Sequence, residues 1–152
     1  MEHPGTSEKL FLDDLAVGDT FTSAPHQLNA DQIRRFAAEF DPQPFHLDET
    51  AARASLFQGL AASGWHTVAI TMRLLVDSLP LADGVIGAGA EISWARPTRP
   101  GDILTVKSTI LSITPSRSKP DRGIVVVETI TSNQDGEEVQ KLTSKIVSFR
   151  RR

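Results

Sequence analysis

The spacing of apolar residues along the chain changes character twice. Thr20 to Leu28, delivered by the turn Val17-Gly18-Asp19, is a β-prone run and predicts a first strand. Asn29 then stands as an N-cap with Gln32 three residues on, a variant of the capping box, and Ile33, Phe36, Ala37 and Phe40 follow at i, i+3, i+4 and i+7. This spacing predicts an amphipathic helix ending at Asp41. Asp48 is placed to cap a short helix through Ala51, Ala52 and Ala54. The longest helical pattern covers Gly64 to Leu79, with Trp65, Val68, Ala69, Met72, Leu75, Val76 and Leu79 on one stripe and Ile70 and Leu74 on other faces. Such a helix is expected to be largely buried, and Trp65 and Trp94 are read as core residues. Pro80 ends it.

Beyond Gly84 the period becomes two. Ile86, Ala88, Ala90, Ile92 and Trp94 alternate with small or polar neighbours, and Ile103 to Ile113 and Gly123 to Ser132 are β-branched runs. Arg96 to Asp102, with Pro97, Pro100 and Gly101, reads as a turn. Asp135-Gly136 is a strong hairpin signal before a last strand, Glu137 to Phe149. One buried helix ahead of four long antiparallel strands predicts an α+β fold in which a curved sheet wraps a central helix.

Composition narrows the function classes. At 152 residues and 39% hydrophobic, residues 1–152 suit one domain with its own core, with 1–9 expected to be flexible. A net charge of -3 argues against a general binder of nucleic acid or anionic membrane. The absence of cysteine excludes disulfides, thiolate zinc sites and cysteine nucleophiles. His3 and His26 have no ligand-like spacing, so no metal is expected. Met1 to Lys9 has no apolar core of signal-peptide type and no later run approaches membrane-spanning length, so a soluble cytoplasmic protein is expected.

The chemistry gathers in Phe40-Asp41-Pro42-Gln43-Pro44-Phe45-His46. The two prolines cannot donate backbone hydrogen bonds and bias the residues before them away from helix, which predicts a rigid extended turn carrying Asp41 and His46. A carboxylate beside an imidazole can divide the roles of acid and base. The loop alone also fits a helix-ending turn in which Asp41 caps the next segment and His46 lies on the surface.

That run, continued by Leu47-Asp48, Ala51, Ser55, Phe57, Gly59 and Ala62-Ser63-Gly64, resembles the hydratase signature of the MaoC-like dehydratase family. This family includes the (R)-specific enoyl-CoA hydratases and has the hot-dog fold. The Arg-Pro-x-x-Pro-Gly-Asp turn at Arg96 to Asp102 and the Ser-Arg-Ser-Lys-Pro-Asp-Arg-Gly loop at Ser116 to Gly123 are similar to members as well, and the resemblance covers about Leu10 to Phe149. It implies a curved antiparallel sheet around a long central helix, a homodimer with sheets joined side by side, and reversible addition of water to a trans-2-enoyl thioester of coenzyme A. No cofactor is implied beyond the coenzyme A of the substrate, and neither nucleic acid nor membrane is an expected partner. By the resemblance, Asp41 and His46 fall on the catalytic aspartate and histidine, and Gly64 on the glycine whose N–H meets the thioester oxygen. Ser63, Gln43 and Phe45 are expected around the substrate. The best-known hydratases have asparagine and a small aliphatic residue where Gln43 and Phe45 stand, so the catalytic pair carries over and the acyl group stays open.

The residues themselves support that chemistry. A helix N-terminus offers unpaired N–H donors for a carbonyl oxygen that gathers charge, and a glycine there permits close approach, with a tight turn for packing alone as the lesser alternative for Gly64. Arg117, Lys119 and Arg122 form a candidate clamp for the phosphates of coenzyme A, with a solvated hairpin loop as the alternative. Arg96 and Arg99 are a second candidate, and His66 reads as a polar residue on an apolar helix. Two other activities fit the same signature: an acyl-CoA thioesterase, with Asp41 directing water at the carbonyl carbon, and an acyl-thioester binding subunit without turnover.

Overall fold

The computed structural model describes residues 2–3 and 8–152, with side chains from residue 8 onward. The expectation of a flexible start falls mainly on residues 1 and 4–7, which lie outside the described residues. The strands are β1 (Glu2–His3), β2 (Thr20–Thr22), β3 (His26–Gln27), β4 (Ile86–Ser93), β5 (Ile103–Pro115), β6 (Arg122–Ser132) and β7 (Glu138–Phe149). The helices are α1 (Ala30–Phe40), α2 (Pro44–Leu47), α3 (Glu49–Arg53) and α4 (Gly64–Ser78). The sheet runs β1-β2-β5-β6-β7-β4, antiparallel from β2 onward, with β3 paired to β5 off that path. This is the α+β hot-dog arrangement, with α4 as the central helix.

Local chemistry explains most boundaries. Gln32 N–H donates to Asn29 Oδ1 and Asn29 N–H to Gln32 Oε1, both at 2.9 Å, which closes the capping box that opens α1. Asp48 caps α3 through the N–H groups of Thr50 and Ala51. The β6–β7 turn is closed by Asn133 Oδ1, which accepts from Asp135 and Glu137, and Gly136 takes a φ of +75° that suits glycine. The first strand is shorter than its pattern predicts. It divides into β2 and β3 because Pro25 has no N–H to give to β5, and Ser23 bridges the gap by accepting from Val106 N–H.

The core has two parts that meet on α4. Leu75 and Leu79 pack with Phe21, Ile110, Val125, Val127 and Ile146, while Ile70 and Leu74 pack with Leu28, Ile33, Leu104, Val106 and Val139. The inward face of α4 is thus Thr67, Ile70, Thr71, Leu74 and Leu75. This corrects the expected stripe, whose members Trp65, Ala69, Met72 and Val76 are exposed. The two threonines belong inside because each is hydrogen-bonded there: Thr67 to Thr98 at 3.2 Å, and Thr71 to both Thr131 at 2.7 Å and Gln140 at 2.9 Å. Every residue of β4 but Ile92 is exposed, so the edge strand and the outer stripe of α4 leave apolar surface uncovered on one side.

Ile33→Ala removes a side chain with no solvent exposure from the inner face of α1 and should cost about 2–5 kcal/mol in urea unfolding. Glu39→Ala on the exposed face of the same helix should stay within about 0.5 kcal/mol.

Candidate active site

The Asp41–His46 segment is only half a loop. Asp41 ends α1, its N–H donating to Ala37 O at 2.8 Å, and Gln43 is extended before Pro44. Pro44 then opens the single helical turn α2, where a missing N–H costs nothing, so His46 rides on a helical turn and not on an extended one.

His46 is buried, and its Nδ1 lies 2.6 Å from Ala61 O. A carbonyl only accepts, so Nδ1 carries a proton, and Nε2 faces Asp41. Nε2 stands 3.3 Å from Asp41 Oδ2. The other carboxylate oxygen, Oδ1, accepts from the Gln43 side-chain amide. Burial pushes the Asp41 pKa up, but hydrogen bonds from Ser63 and Gln43 and the neighbouring His46 outweigh it and hold the group below the ordinary aspartate value. The pair is therefore tied at its outer edges and in contact with itself at 3.3 Å.

Around it lies a cleft of about 460 Å³ lined by residues that include Asp41, Gln43, His46 and Gly64. Phe45 and Phe57, ring centroids 5.0 Å apart, form an apolar wall, and Phe45 meets His46 edge-on at 4.6 Å. Trp65 and Trp94 line it too, which corrects their reading as core residues: both are exposed in the single chain and meet edge to face at 6.0 Å. Trp94 explains the glycine at position 64, since a Cβ there would sit 2.7 Å from the indole ring. The indole is in turn fixed by its N–H donating to Gln140 Oε1 at 3.0 Å. Gly64 opens α4 from the N-cap Ser63, whose hydroxyl accepts from Trp65 N–H at 3.2 Å.

Several expected site residues serve other ends. Ser63 is fully buried, and its hydroxyl stands behind Asp41. Arg99 clasps the carbonyls of Phe57, Gly59 and Leu60, fixing the segment that carries Phe57, so it is committed to structure. Arg96 reaches the cleft but pairs with Glu137 at 2.5 Å. Arg117 and Lys119 lie on the β5–β6 turn and Arg122 opens β6, and none of the three lines this cleft. Arg122 is occupied by Asp121 at 2.9 Å and stacks over Phe149. His66 stacks flat on Phe36, centroids 4.5 Å apart, and burial pushes its pKa down to about 4, so it is neutral at pH 7. Thr67 and Thr98 were silent as site residues, and Phe57 stood only within the family signature, because nothing in their spacing marks a cleft wall. Among the described residues no group of His, Asp and Glu is placed to hold a metal, and no helix is long and apolar enough to cross a membrane.

The family model of the MaoC like domain matches residues 14–133. The chain belongs to that family. The crystal structure of the MaoC-like dehydratase from Rhodospirillum rubrum is 67% identical with a TM-score of 0.93, covering 94% of this chain and 99% of that one. The unliganded R-hydratase PhaJ1 of Pseudomonas aeruginosa is 26% identical with a TM-score of 0.78, covering 94% of this chain and 88% of its own. The uncharacterized protein YdeM of Bacillus subtilis is 36% identical over 126 residues, 81% of this chain and 87% of YdeM.

The depressed Asp41 pKa has a signed consequence. Its stabilising share is complete above the unfolded aspartate pKa and is lost as pH falls through the lower folded value. Ser63→Ala should raise the Asp41 carboxyl midpoint in an NMR titration and, by removing the α4 cap, cost about 1 kcal/mol. An unmoved midpoint would exclude Ser63 as the donor.

Proposed function

We propose that this chain hydrates trans-2-enoyl thioesters of coenzyme A, and dehydrates the 3-hydroxyacyl thioesters in reverse, with Asp41 and His46 as the catalytic pair. The observation that carries the reading is the 3.3 Å contact of Asp41 Oδ2 with His46 Nε2 at the cleft, two groups whose outer partners fix them in place. A water bound by this pair would turn an oxygen lone pair toward a substrate in the cleft. Ser63 already occupies Trp65 N–H, and His66 N–H donates to Ser63 O at 3.0 Å. Gly64, at the first helical position, is then the donor left for the thioester oxygen, where developing negative charge meets the helix N-terminus.

The steps balance without a further reagent. Charge drawn onto the carbonyl oxygen makes C3 electrophilic. The water oxygen bonds to C3 as the pair takes one of its protons, and a proton from the pair is delivered to C2 as the C2–C3 double bond becomes single. The reaction consumes no cofactor, and coenzyme A stays bonded to the acyl group throughout. Phe45 and Phe57 bound the acyl side of the cleft and restrict its width near His46.

Incubation with enoyl-CoA and saturated acyl-CoA compounds tests the reading. Loss of enoyl absorbance without free thiol supports hydration, free thiol means thioester hydrolysis, and binding without either means a carrier subunit. Asp41→Asn and His46→Gln should each remove most turnover, and the double variant should cost little more than either, because groups acting on one water are non-additive. Near-normal hydration by both single variants would sink the dyad.

The same reading includes a homodimer joined at β4. Trp65, Met72, Val76, Ile86 and Trp94, which are 59, 42, 47, 43 and 46% exposed, lie along α4 and β4. Together they present on the order of 500 Å² of apolar surface, at the upper end of what monomers tolerate. A stable interface needs roughly 800 Å² per partner, and the unpaired backbone edge of β4 supplies the kind of surface that makes up the difference. Sedimentation should therefore give a dimer at micromolar concentration, and Met72→Glu should shift it toward monomer. A monomeric parent would overturn the assembly.

A further inference from the structure

We infer that the hydroxyl of Thr98 donates to the thioester oxygen beside the Gly64 N–H, so that the charge developing there meets one backbone donor and one side-chain donor. The assignment rests on the hydration reading given above and makes Thr98 a catalytic residue beside Asp41 and His46.

The observation behind it is a buried donor left without an acceptor. Thr67 and Thr98 are 2 and 3% exposed, and both line the cleft. The Thr67 hydroxyl donates to Thr98 Oγ1 at 3.2 Å, which engages the Thr67 hydrogen and leaves that of Thr98 with no acceptor among the described residues. Two other hydroxyl pairs are buried, Thr71 with Thr131 and Ser108 with Thr129, but none of these four lines the cleft. Other side-chain hydrogens around the site are committed: His46 Nδ1 to Ala61 O, Ser63 to Asp41 and the Trp94 indole to Gln140. A buried hydroxyl hydrogen at a cleft wall is a donor that a ligand or a water satisfies.

The backbone places this donor at the start of α4. Thr98 O accepts from Ala62 N–H at 2.9 Å, two residues ahead of Gly64, and Thr98 Oγ1 accepts from Thr67, three residues after it. Thr98 is thus held on both sides of Gly64. Residues three apart on a helix are neighbours at roughly 5–6 Å, and the later side chain leans over the earlier turn, so the Thr67 hydroxyl draws Thr98 Oγ1 toward the turn of Gly64. One carbonyl oxygen bridges two donors about 5 Å apart when each stands at roughly 2.9 Å. The turn carrying Thr98 is stiff. Pro97 and Pro100 bracket Thr98 and Arg99, Arg99 N–H donates to Asp102 Oδ2 at 2.8 Å, and the Arg99 guanidinium donates to Gly59 O at 2.9 Å. A donor fixed in this way needs no reorganisation as charge develops, the condition under which such donors accelerate a reaction. Thr98 gives up no proton: its hydrogen bond strengthens as the thioester oxygen gains charge and relaxes once C2 is protonated.

Three substitutions at one position read the hydroxyl apart from its methyl group. Thr98→Val keeps the shape and removes the hydroxyl; it should lower kcat for enoyl-CoA hydration by about a hundredfold and move KM by less than about threefold, because the bond is strongest in the transition state. Thr98→Ser should stay within about fivefold of the parent, and Thr98→Ala should fall with Thr98→Val. The serine and alanine variants differ by the hydroxyl alone, so they decide the matter even where the valine variant does not fold. A parental kcat in Thr98→Val, or serine and alanine variants equally impaired, overturns the inference. A second readout needs no turnover. In a chain carrying Asp41→Asn and His46→Gln, bound trans-cinnamoyl-CoA should absorb to the red of the free thioester, because hydrogen bonds to the carbonyl oxygen draw charge from the conjugated system. Adding Thr98→Val should remove about half of that shift, since one of two donors is lost, while adding Thr98→Ser should keep it. A band that Thr98→Val does not move overturns the inference. If the parent hydrates no enoyl thioester yet the band moves with Thr98→Val, the reaction assigned above fails while the contact stands. A parent that binds no thioester overturns both.

Discussion

Four consecutive buried residues, Leu60-Ala61-Ala62-Ser63, hold the site to the fold. Leu60 O accepts from Arg99 of the proline turn, Ala61 O fixes the His46 ring, and Ala61 N–H donates to Phe45 O at 3.2 Å. Ala62 N–H donates to Thr98 O at 2.9 Å, and Ser63 both caps α4 and donates to Asp41. The segment's backbone is thus spent on the site and the side chains of Ala61, Ala62 and Ser63 are small, which lets α2, the turn before β5 and the start of α4 converge on it. A bulkier residue here would separate the aspartate from the histidine before it disturbed anything else, because a close-packed interior transmits such strain.

The proline turn works as the other half of this clamp. Asp102 is buried, accepts from Arg99 N–H at 2.8 Å and from the Gln134 side chain at 3.0 Å, and so ties the turn to the β6–β7 hairpin. Gly101 takes a φ of +87° and donates to Leu28 O at 2.7 Å. With its backbone set in this way, the turn aims Arg99 at the carbonyls under Phe57. The Asp41–His46 pair is therefore positioned by hydrogen bonds from sequence-distant turns, while its own loop contributes only local stiffness.

Legibility followed from how local each cause is. The capping box at Asn29, the cap at Asp48, the Asp135-Gly136 turn and the long strands are set by near neighbours, and the sequence pattern locates them within a residue or two. The Asp41–His46 loop was legible as a pair, but the turn of helix under His46 was not, since Pro44 reads as a breaker until it is seen at the first helical position. The inner face of α4 failed for a different reason. Hydrophobic periodicity counts threonine as polar, and Thr67 and Thr71 are buried because partners more than thirty residues away satisfy them. Trp94 was misread for the same cause: its place over Gly64 depends on Gln140, which no local pattern links to it.

The misphased helix carries its own physical sense. If apolar content alone ordered α4, Trp65, Met72 and Val76 would face the sheet, yet the chain spends threonines and a glutamine there and leaves the larger apolar groups outside. A buried polar network tolerates only one arrangement, since shifting the helix would strand the hydroxyls and the Gln140 amide without partners. An apolar stripe on the outside tolerates many. The network thus sets the rotation of α4, and with it the place of Gly64 at the cleft, by a criterion that does not depend on whether a second copy covers the stripe. The geometry around Gly64 is thus fixed by hydrogen bonds within one chain.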